Sequence, residues 1–209
     1  MARILALVVC LLLFSTSAKA EDRFELGAYG GYMFGGSVEG ESELLTSKAS
    51  IESAPSFGAT VDVALRRGAF AEFAYTRQAT ELTLRQSDGV TYRYDLLVQY
   101  FGVGGLLEFR TGSVEWFRPT FGGTIGATVF TANDALASYE EWRLSLAFEG
   151  GAKIRLTNFL GLRFRARAFI TFLADDSAMF CASGAGCAFA YSGTPILQGE
   201  VAGGAYLSF

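Results

Sequence analysis

Hydrophobic and polar residues alternate along most of the chain after residue 20. The pattern is most regular over residues 142–156, where every second residue from Trp142 to Leu156 is apolar or glycine and the residues between them are small or charged. The same division recurs over residues 57–66 and 162–172. A period of two is typical of a β-strand with one apolar face, and each run is about as long as a tilted membrane-spanning strand. The sequence therefore predicts an all-β protein.

Eight such runs are joined by connections that alternate in length. The predicted strands are residues 23–35, 55–66, 69–85, 91–109, 115–130, 142–156, 162–173 and 195–209. Short connections lie at 67–68, 110–114 and 157–161, long ones at 36–54, 131–141 and 174–194, and a shorter one near 87–90 joins two long strands. This order predicts an eight-stranded antiparallel up-and-down transmembrane β-barrel, with both termini and the short turns in the periplasm.

In a soluble barrel of the lipocalin kind, the apolar faces would instead line a ligand cavity. Lipid is favoured because these faces carry large aliphatic and aromatic residues along whole strands. The opposite faces are rich in Gly, Ala, Thr and Tyr and poor in Lys, as a narrow crowded interior requires. Aromatic residues also gather near strand ends, where membrane barrels have their interfacial girdles. They are Tyr92, Tyr94, Phe109, Trp116, Phe117, Tyr139, Trp142 and Phe159.

The first 20 residues have the layout of a secretory signal peptide. Arg3 precedes an apolar run over residues 4–14, and small residues lead to Ala20, after which we expect cleavage. The alternative is a membrane anchor, but the run is shorter than the roughly 20 residues that a spanning helix needs. We therefore expect residues 1–20 to be removed and residues 21–209 to form one barrel domain.

Charge gives no reason to expect a nucleic-acid partner. The sequence has 17 basic and 21 acidic residues, a formal net charge of −4. Removing residues 1–20 takes away Arg3 and Lys19 and no acid, which leaves a mildly acidic chain.

Two cysteines, Cys181 and Cys187, remain after the predicted cleavage, and both lie in the last long connection. In an oxidising compartment this pair predicts a disulfide that closes a small ring within one loop. A metal site is the alternative, but the sequence contains no histidine, so the disulfide is favoured and no cofactor is expected.

Many charged residues lie on the strand faces assigned to the barrel interior. Charges inside a barrel must be paired or hydrated, so they predict a salt-bridged plug. The alternative is an anion-selective constriction or gate, but eight strands leave an interior only just wide enough for side chains. The predicted acids are Glu25, Asp62, Glu72, Glu108, Glu149 and Glu200, and the predicted bases are Arg66, Arg118, Arg143, Lys153, Arg155, Arg163, Arg165 and Arg167.

Catalysis is not predicted. No histidine is available as an acid or base, and neither a Gly-x-Ser-x-Gly elbow nor a Ser-x-x-Lys pair is present to supply an activated nucleophile. The first long connection is acidic at Glu39, Glu41, Glu43 and Glu52. Such a surface suits contact with lipopolysaccharide through divalent cations or with an extracellular partner, but a charge-bearing loop is more often simply solvated.

The chain ends with a glycine at 204, Tyr206, Leu207 and a terminal Phe209. This ending resembles the C-terminal signal by which outer-membrane barrels are recognised for assembly, with Gly204, Tyr206, Leu207 and Phe209 at the matching positions. With the signal peptide, the eight strands and the stretch 102–109, the mature chain resembles the OmpA-like and OmpX-like superfamily of small outer-membrane barrels, which includes opacity-type surface proteins. The resemblance implies a place in the outer membrane, contact with its lipid and lipopolysaccharide, and passage through the outer-membrane assembly machinery.

The leading hypothesis is a non-enzymatic barrel that contributes to envelope integrity or contacts an extracellular partner through its loops. A second hypothesis is a narrow channel of the OmpW-like kind for small or hydrophobic molecules. An outer-membrane enzyme is the third.

Overall fold

The computed structural model describes residues 24–42, 45–85, 91–110, 116–134, 137–173, 178–182, 186–190 and 195–209, with side chains except at 37–49, 84, 85, 92, 133–139, 178–182 and 186–190. The predicted signal peptide, residues 1–20, lies outside this part of the chain, and its removal stays a prediction. Twelve strands form within the described residues. They are β1 (Phe24–Phe34), β2 (Ser37–Ser42), β3 (Leu45–Ile51), β4 (Ala54–Arg66), β5 (Ala69–Arg85), β6 (Thr91–Glu108), β7 (Phe117–Asp134), β8 (Ala137–Arg155), β9 (Leu160–Thr171), β10 (Ala178–Ala182), β11 (Gly186–Ala190) and β12 (Ile196–Ser208).

Eight of these strands close into one antiparallel barrel, as predicted. The order around the wall is β1, β4, β5, β6, β7, β8, β9 and β12. The last strand returns to the first, with Glu25 opposite Ser208 at one end of the pair and Phe34 opposite Gly199 at the other. We call the end that holds the short connections, Phe24 and Phe209 the turn end, and the opposite one the loop end. Among the described residues, no helix is long and apolar enough to cross a membrane.

Four neighbouring strands are longer than the other four, and two of them, β7 and β8, are also longer than the sequence predicts. β5 to β8 have 17 to 19 residues, whereas β1, β4, β9 and β12 have 11 to 13. The prediction of a loop at 131–141 is wrong, because β7 and β8 stay paired until Asp134 lies opposite Ala137. Beyond the rim of the barrel the residues on both faces of a strand are largely polar or small, so the alternation that marks the strands fades there.

The two other long connections also contain strands. Residues 36–54 hold the hairpin β2–β3, and β3 joins the side of β5, with Ile51 opposite Leu82. Residues 174–194 hold the hairpin β10–β11, which forms a separate two-stranded sheet. The sheet therefore continues past the loop end as β2, β3, β5, β6, β7 and β8.

The outward face is apolar, with exposed Leu, Val, Ile and Phe residues on all eight barrel strands. Trp116 and Phe159 are exposed near the turn end, and Trp142 is exposed towards the loop end. Tyr94 differs from the predicted girdle, because its ring packs against buried apolar residues of the interior. Tyr92 and Tyr139 have side chains outside the described set.

The loop half of the interior is apolar, which the sequence did not predict. Buried side chains from seven barrel strands and from β3 form one cluster with Leu173. Its members are Met33, Ile51, Leu82, Leu96, Val98, Tyr100, Phe130, Ala132, Ala147, Phe169, Leu173 and Ile196. The charged residues of the interior lie below this cluster, towards the turn end.

Candidate functional site, an ion-paired interior

Eleven of the fourteen charged residues predicted for the interior are buried. They come from alternate positions of all eight barrel strands, because every second side chain of a strand points inwards. They are Glu25, Asp62, Glu72, Glu108, Arg118, Glu149, Lys153, Arg163, Arg165, Arg167 and Glu200. The first four strands of the barrel supply only acids to this set, and all of its bases come from β7, β8 and β9.

Lys153 lies at the centre of the part nearest the turn end. Its ammonium has no solvent exposure and donates a hydrogen bond to the carboxylate of Glu25. The same nitrogen is 3.6 Å from Oδ2 of Asp62 and 3.7 Å from Oε2 of Glu108. Arg118 donates to Oε1 of Glu108 at 2.7 Å. One lysine on β8 thus contacts carboxylates on three other strands, β1, β4 and β6.

Arg163, further from the turn end, bonds three carboxylates, one of which, Asp62, also lies near Lys153. Its Nη1 donates to Oδ2 of Asp62 at 3.0 Å. Its Nη2 donates to Oε2 of Glu72 at 2.5 Å and to Oε1 of Glu149 at 2.6 Å. Arg165, on the same face of β9, has longer ion pairs, at 3.4 Å to Glu149 and 3.9 Å to Glu72.

The third level combines charged and neutral polar groups. Arg167 donates to the carboxylate of Glu200, which also accepts a 2.5 Å hydrogen bond from the hydroxyl of Ser56. The hydroxyl of Tyr29 accepts from Nη2 of Arg167 at 2.8 Å and lies 2.7 Å from Oγ1 of Thr76. Ser56, Tyr29 and Thr76 were missing from the predicted set because they carry no charge. Their inward position on alternating strands was the available signal.

Tyr29 also occupies the space beside a glycine of the neighbouring strand. Its ring and hydroxyl lie where a side chain at Gly58 would be, since an added Cβ would be 2.2 Å from them. The ring lies under the guanidinium of Arg165, with 3.8 Å between the ring centroid and Cζ. Tyr206 covers Gly161 in the same way near the turn end.

The other three bases predicted for the interior are not buried. Arg66 is exposed, and its predicted place in the interior is wrong because the pairing of β4 with β5 shifts register between Ala64 and Arg66, just before the turn. Arg143 is half-buried at the loop end, where it bonds to Glu141. Arg155 is half-buried at the turn end.

Polar side chains also link the ion-paired half to the apolar cluster. Tyr100 donates to Gln198, and Nε2 of Gln198 lies 3.3 Å from Oε1 of Gln78. The rings of Tyr100 and Phe169 have centroids 4.2 Å apart. A cavity of about 10 Å³ lies beside them, which is at most the space of one water molecule. At both levels, therefore, described side chains from different strands meet across the interior.

No group of three or more His, Cys, Asp or Glu among the described residues is arranged to hold a metal ion. Cys181 lies opposite Cys187 in the backbone register of β10 and β11. Their side chains lie outside the described set, so the disulfide stays a prediction.

A family model for the outer membrane protein beta-barrel domain matches residues 6–189. The chain belongs to this family. It is therefore a protein of the bacterial outer membrane, and the apolar outward face of the barrel meets lipid. No curated protein matches the sequence.

Solved structures share the fold of this outer-membrane barrel. Neisserial surface protein A is 14% identical over 89% of this chain and 97% of its own, with a TM-score of 0.57. The outer membrane protein OprG of Pseudomonas aeruginosa is 12% identical over 92% and 99%, with a TM-score of 0.58. The outer membrane protease OmpT of Escherichia coli is 9% identical over 93% and 99%, with a TM-score of 0.51. At these identities the likeness shows the fold alone.

The residues of the predicted assembly signal lie on the strand that closes this outer-membrane barrel. Gly204 faces the interior, where an added Cβ would be 2.1 Å from the backbone oxygen of Ala28. Tyr206 is buried, whereas Leu207 and Phe209 are exposed on the outward face. The backbone nitrogen of Phe209 donates to the oxygen of Phe24 at 2.9 Å. Recognition of this strand by the assembly machinery stays a prediction.

Proposed function

We propose that this protein is a closed, non-conducting barrel that anchors a protruding sheet for contacts outside the cell. The closed, non-conducting barrel is supported by side chains that cross the interior in both its turn half and its loop half. Ion pairs around Lys153 and Arg163 cross the turn half, and the cluster containing Met33 and Phe130 fills the loop half. A hydrated ion would have to displace both layers to pass.

The protruding sheet supports the second half of the proposal. In outer-membrane barrels the short turns face the periplasm, so the loop end lies outside the cell. β5 to β8 exceed the other barrel strands by about six residues, or about 20 Å at 3.3 Å per residue. β8 pairs with β9 only from Ser145 onwards. Its residues 137–143 therefore present a main-chain edge without a strand partner among the described residues, and such an edge can accept an extended partner segment.

Planar bilayers test whether the barrel is closed. The purified full-length mature protein should give no discrete current steps, under conditions in which a porin reconstituted in parallel does. Reproducible openings would overturn the closed barrel and favour the narrow channel instead.

A second experiment separates the barrel from the sheet. Ala79 lies opposite Leu97, so removing residues 80–96 and joining the strands by a two-residue turn shortens β5 and β6 in register. The shortened protein should still show heat-modifiable mobility on gels. Adhesion of cells to protein-coated surfaces should be lost, while detergent resistance of the envelope is retained. Loss of detergent resistance with adhesion intact would overturn the surface role and favour an envelope role.

The proposal includes no catalytic activity. An outer membrane protease shares the fold, so peptide turnover by the purified protein is the relevant measurement. Turnover that disappears on substitution of one specific residue would contradict the proposal.

A further inference from the structure

The outer wall has a notch near the loop end, between the β3–β4 connection and strands β5 and β6. Its volume is about 530 Å³, within the range of about 300–1,000 Å³ typical of ligand pockets. The residues that matter for its chemistry are Glu52, Arg77, Ala79, Glu81, Asp95 and Leu97. It lies just beyond Tyr75 and Phe101, where the outward face of the barrel changes from apolar to polar.

Strand pairing creates the notch. β4 pairs with β5 only as far as Ser56 opposite Gln78, and β3 takes over at Leu82. Glu52 lies in the connection, where its backbone nitrogen donates to the oxygen of Glu81 at 2.9 Å. The hydroxyl of Thr80 donates to the backbone oxygen of Glu52 at 2.5 Å. These bonds fix the rim, so the notch is part of the folded wall.

The charges of the notch select a cation. Glu81 and Asp95 are directly opposite each other on β5 and β6, and both are exposed on the outward face. Like charges at directly opposite positions repel, and a cation between them relieves this repulsion. Arg93 lies 3.9 Å from Glu81, with both side chains largely exposed, so solvent weakens that pair. With Glu52 and Arg77, the described residues of the lining carry three negative charges and one positive charge.

Resting on the proposed surface role, we propose that this notch binds a lysine or arginine side chain of an extracellular protein partner. The aliphatic stem lies on Ala79 and Leu97, and the cationic head lies between Glu81 and Asp95. A bare metal ion suits the notch less well, because the described acids form no group arranged for metal binding.

The charge of the loop end favours a basic partner. Acidic residues outnumber basic ones in the three long segments at this end. There are four acids in residues 36–54, three in residues 131–143 and two in residues 174–194, and the only bases of these segments are Lys48 and Arg143. A partner with basic side chains is therefore attracted to this end of the molecule, and the notch supplies a specific contact.

The test measures binding of a fluorescent hexalysine peptide to the full-length mature protein in nanodiscs of uncharged lipid. Glu81→Gln/Asp95→Asn should weaken binding by about tenfold or more, as loss of hydrogen bonds to a charged group implies. Glu140→Gln/Glu141→Gln removes the same charge on β8, away from the notch, and should weaken binding by no more than about threefold. Arg77→Gln should strengthen binding, because it removes a positive charge from the lining.

Equal weakening by the two double variants would overturn the notch and indicate a diffuse acidic surface. Weaker binding by Arg77→Gln would also overturn it. Spermidine or calcium could also displace the peptide. If either binds with equal or higher affinity, and Glu81→Gln/Asp95→Asn weakens that binding too, the occupant is a small cation and the proposed protein side chain is wrong. The bilayer experiment does not involve Glu81 or Asp95. Cells that carry Glu81→Gln/Asp95→Asn keep the protruding sheet, so adhesion that is lost on removing residues 80–96 but retained by this double variant would overturn the notch and leave the proposed function intact.

Discussion

Replacing Arg163 with methionine tests whether the ion pairs of the interior stabilise the barrel. The side chain is 7% exposed and bonds three carboxylates at 3.0 Å or less. Removing one partner of a buried ion pair typically costs about 3–5 kcal/mol. The three carboxylates keep second contacts, at 3.6 Å from Lys153 to Asp62 and at 3.4 and 3.9 Å from Arg165 to the other two. Because these contacts are long, we expect a loss near the middle of that range, about 4 kcal/mol.

The assay is urea unfolding in lipid vesicles, followed by tryptophan fluorescence and by heat-modifiable gel mobility. With a slope of about 2 kcal/mol per molar urea, a loss of about 4 kcal/mol lowers the unfolding midpoint by about 2 M. Arg66→Met is the matched control, since it removes the same side chain and charge from an exposed position. It should change the free energy of unfolding by no more than about 0.5 kcal/mol.

A midpoint for Arg163→Met no lower than that of Arg66→Met would refute the reasoning. The double variant Glu72→Met/Arg163→Met provides a second check. Replacing both members of a buried pair with apolar side chains costs less than leaving one charge alone. The double variant should therefore be more stable than Arg163→Met, and a simple sum of the two single losses would show that the pair does not interact.

Three further predictions concern other parts of the chain. Gly58→Ala should destabilise the barrel by about 1–3 kcal/mol or more in the same urea assay, because the new Cβ would lie 2.2 Å from the ring of Tyr29 and from a backbone oxygen. Gly150→Ala is the control and should be neutral, because nothing lies within 4 Å of its new Cβ. Deleting Phe209 should lower the amount of folded protein in the outer-membrane fraction, and normal amounts would contradict its role in assembly. Cys181→Ser/Cys187→Ser should leave heat-modifiable folding intact and make the loop more sensitive to protease on whole cells, since the ring contributes at most about 2 kcal/mol; free thiols in the unreduced mature protein would contradict the disulfide.

The sequence predicts the barrel well wherever one strand face meets lipid and the other meets the interior. β5 begins and ends at the predicted residues 69 and 85. β7 and β8 were predicted too short because residues 131–141 are largely polar or small on both faces, so the hydrophobic alternation that marks a strand is absent there. The hairpin β2–β3 was missed for the same reason, since its residues are mostly polar or small.

Strand faces also predict which charged residues enter the interior, but not which ones pair. Pairing depends on the stagger between strands, which places Lys153 near Glu25 although 128 positions separate them. Arg66 was misplaced because a single register shift next to the turn moves a side chain to another face. The apolar cluster was missed because Met33 or Leu82 follows the alternation of its strand equally well in a polar or an apolar interior.

The distribution of charge along the chain makes the ion pairs depend on closure of the whole barrel. Glu25, Asp62 and Glu72 stand directly opposite one another across β1, β4 and β5. Three carboxylates side by side repel in an isolated sheet of these strands. The cations that compensate them, Lys153 and Arg163, belong to β8 and β9 and reach across the interior only when the wall is continuous. A partly closed sheet therefore keeps the repulsion without the compensation, so the charged interior favours the complete eight-stranded barrel over its fragments.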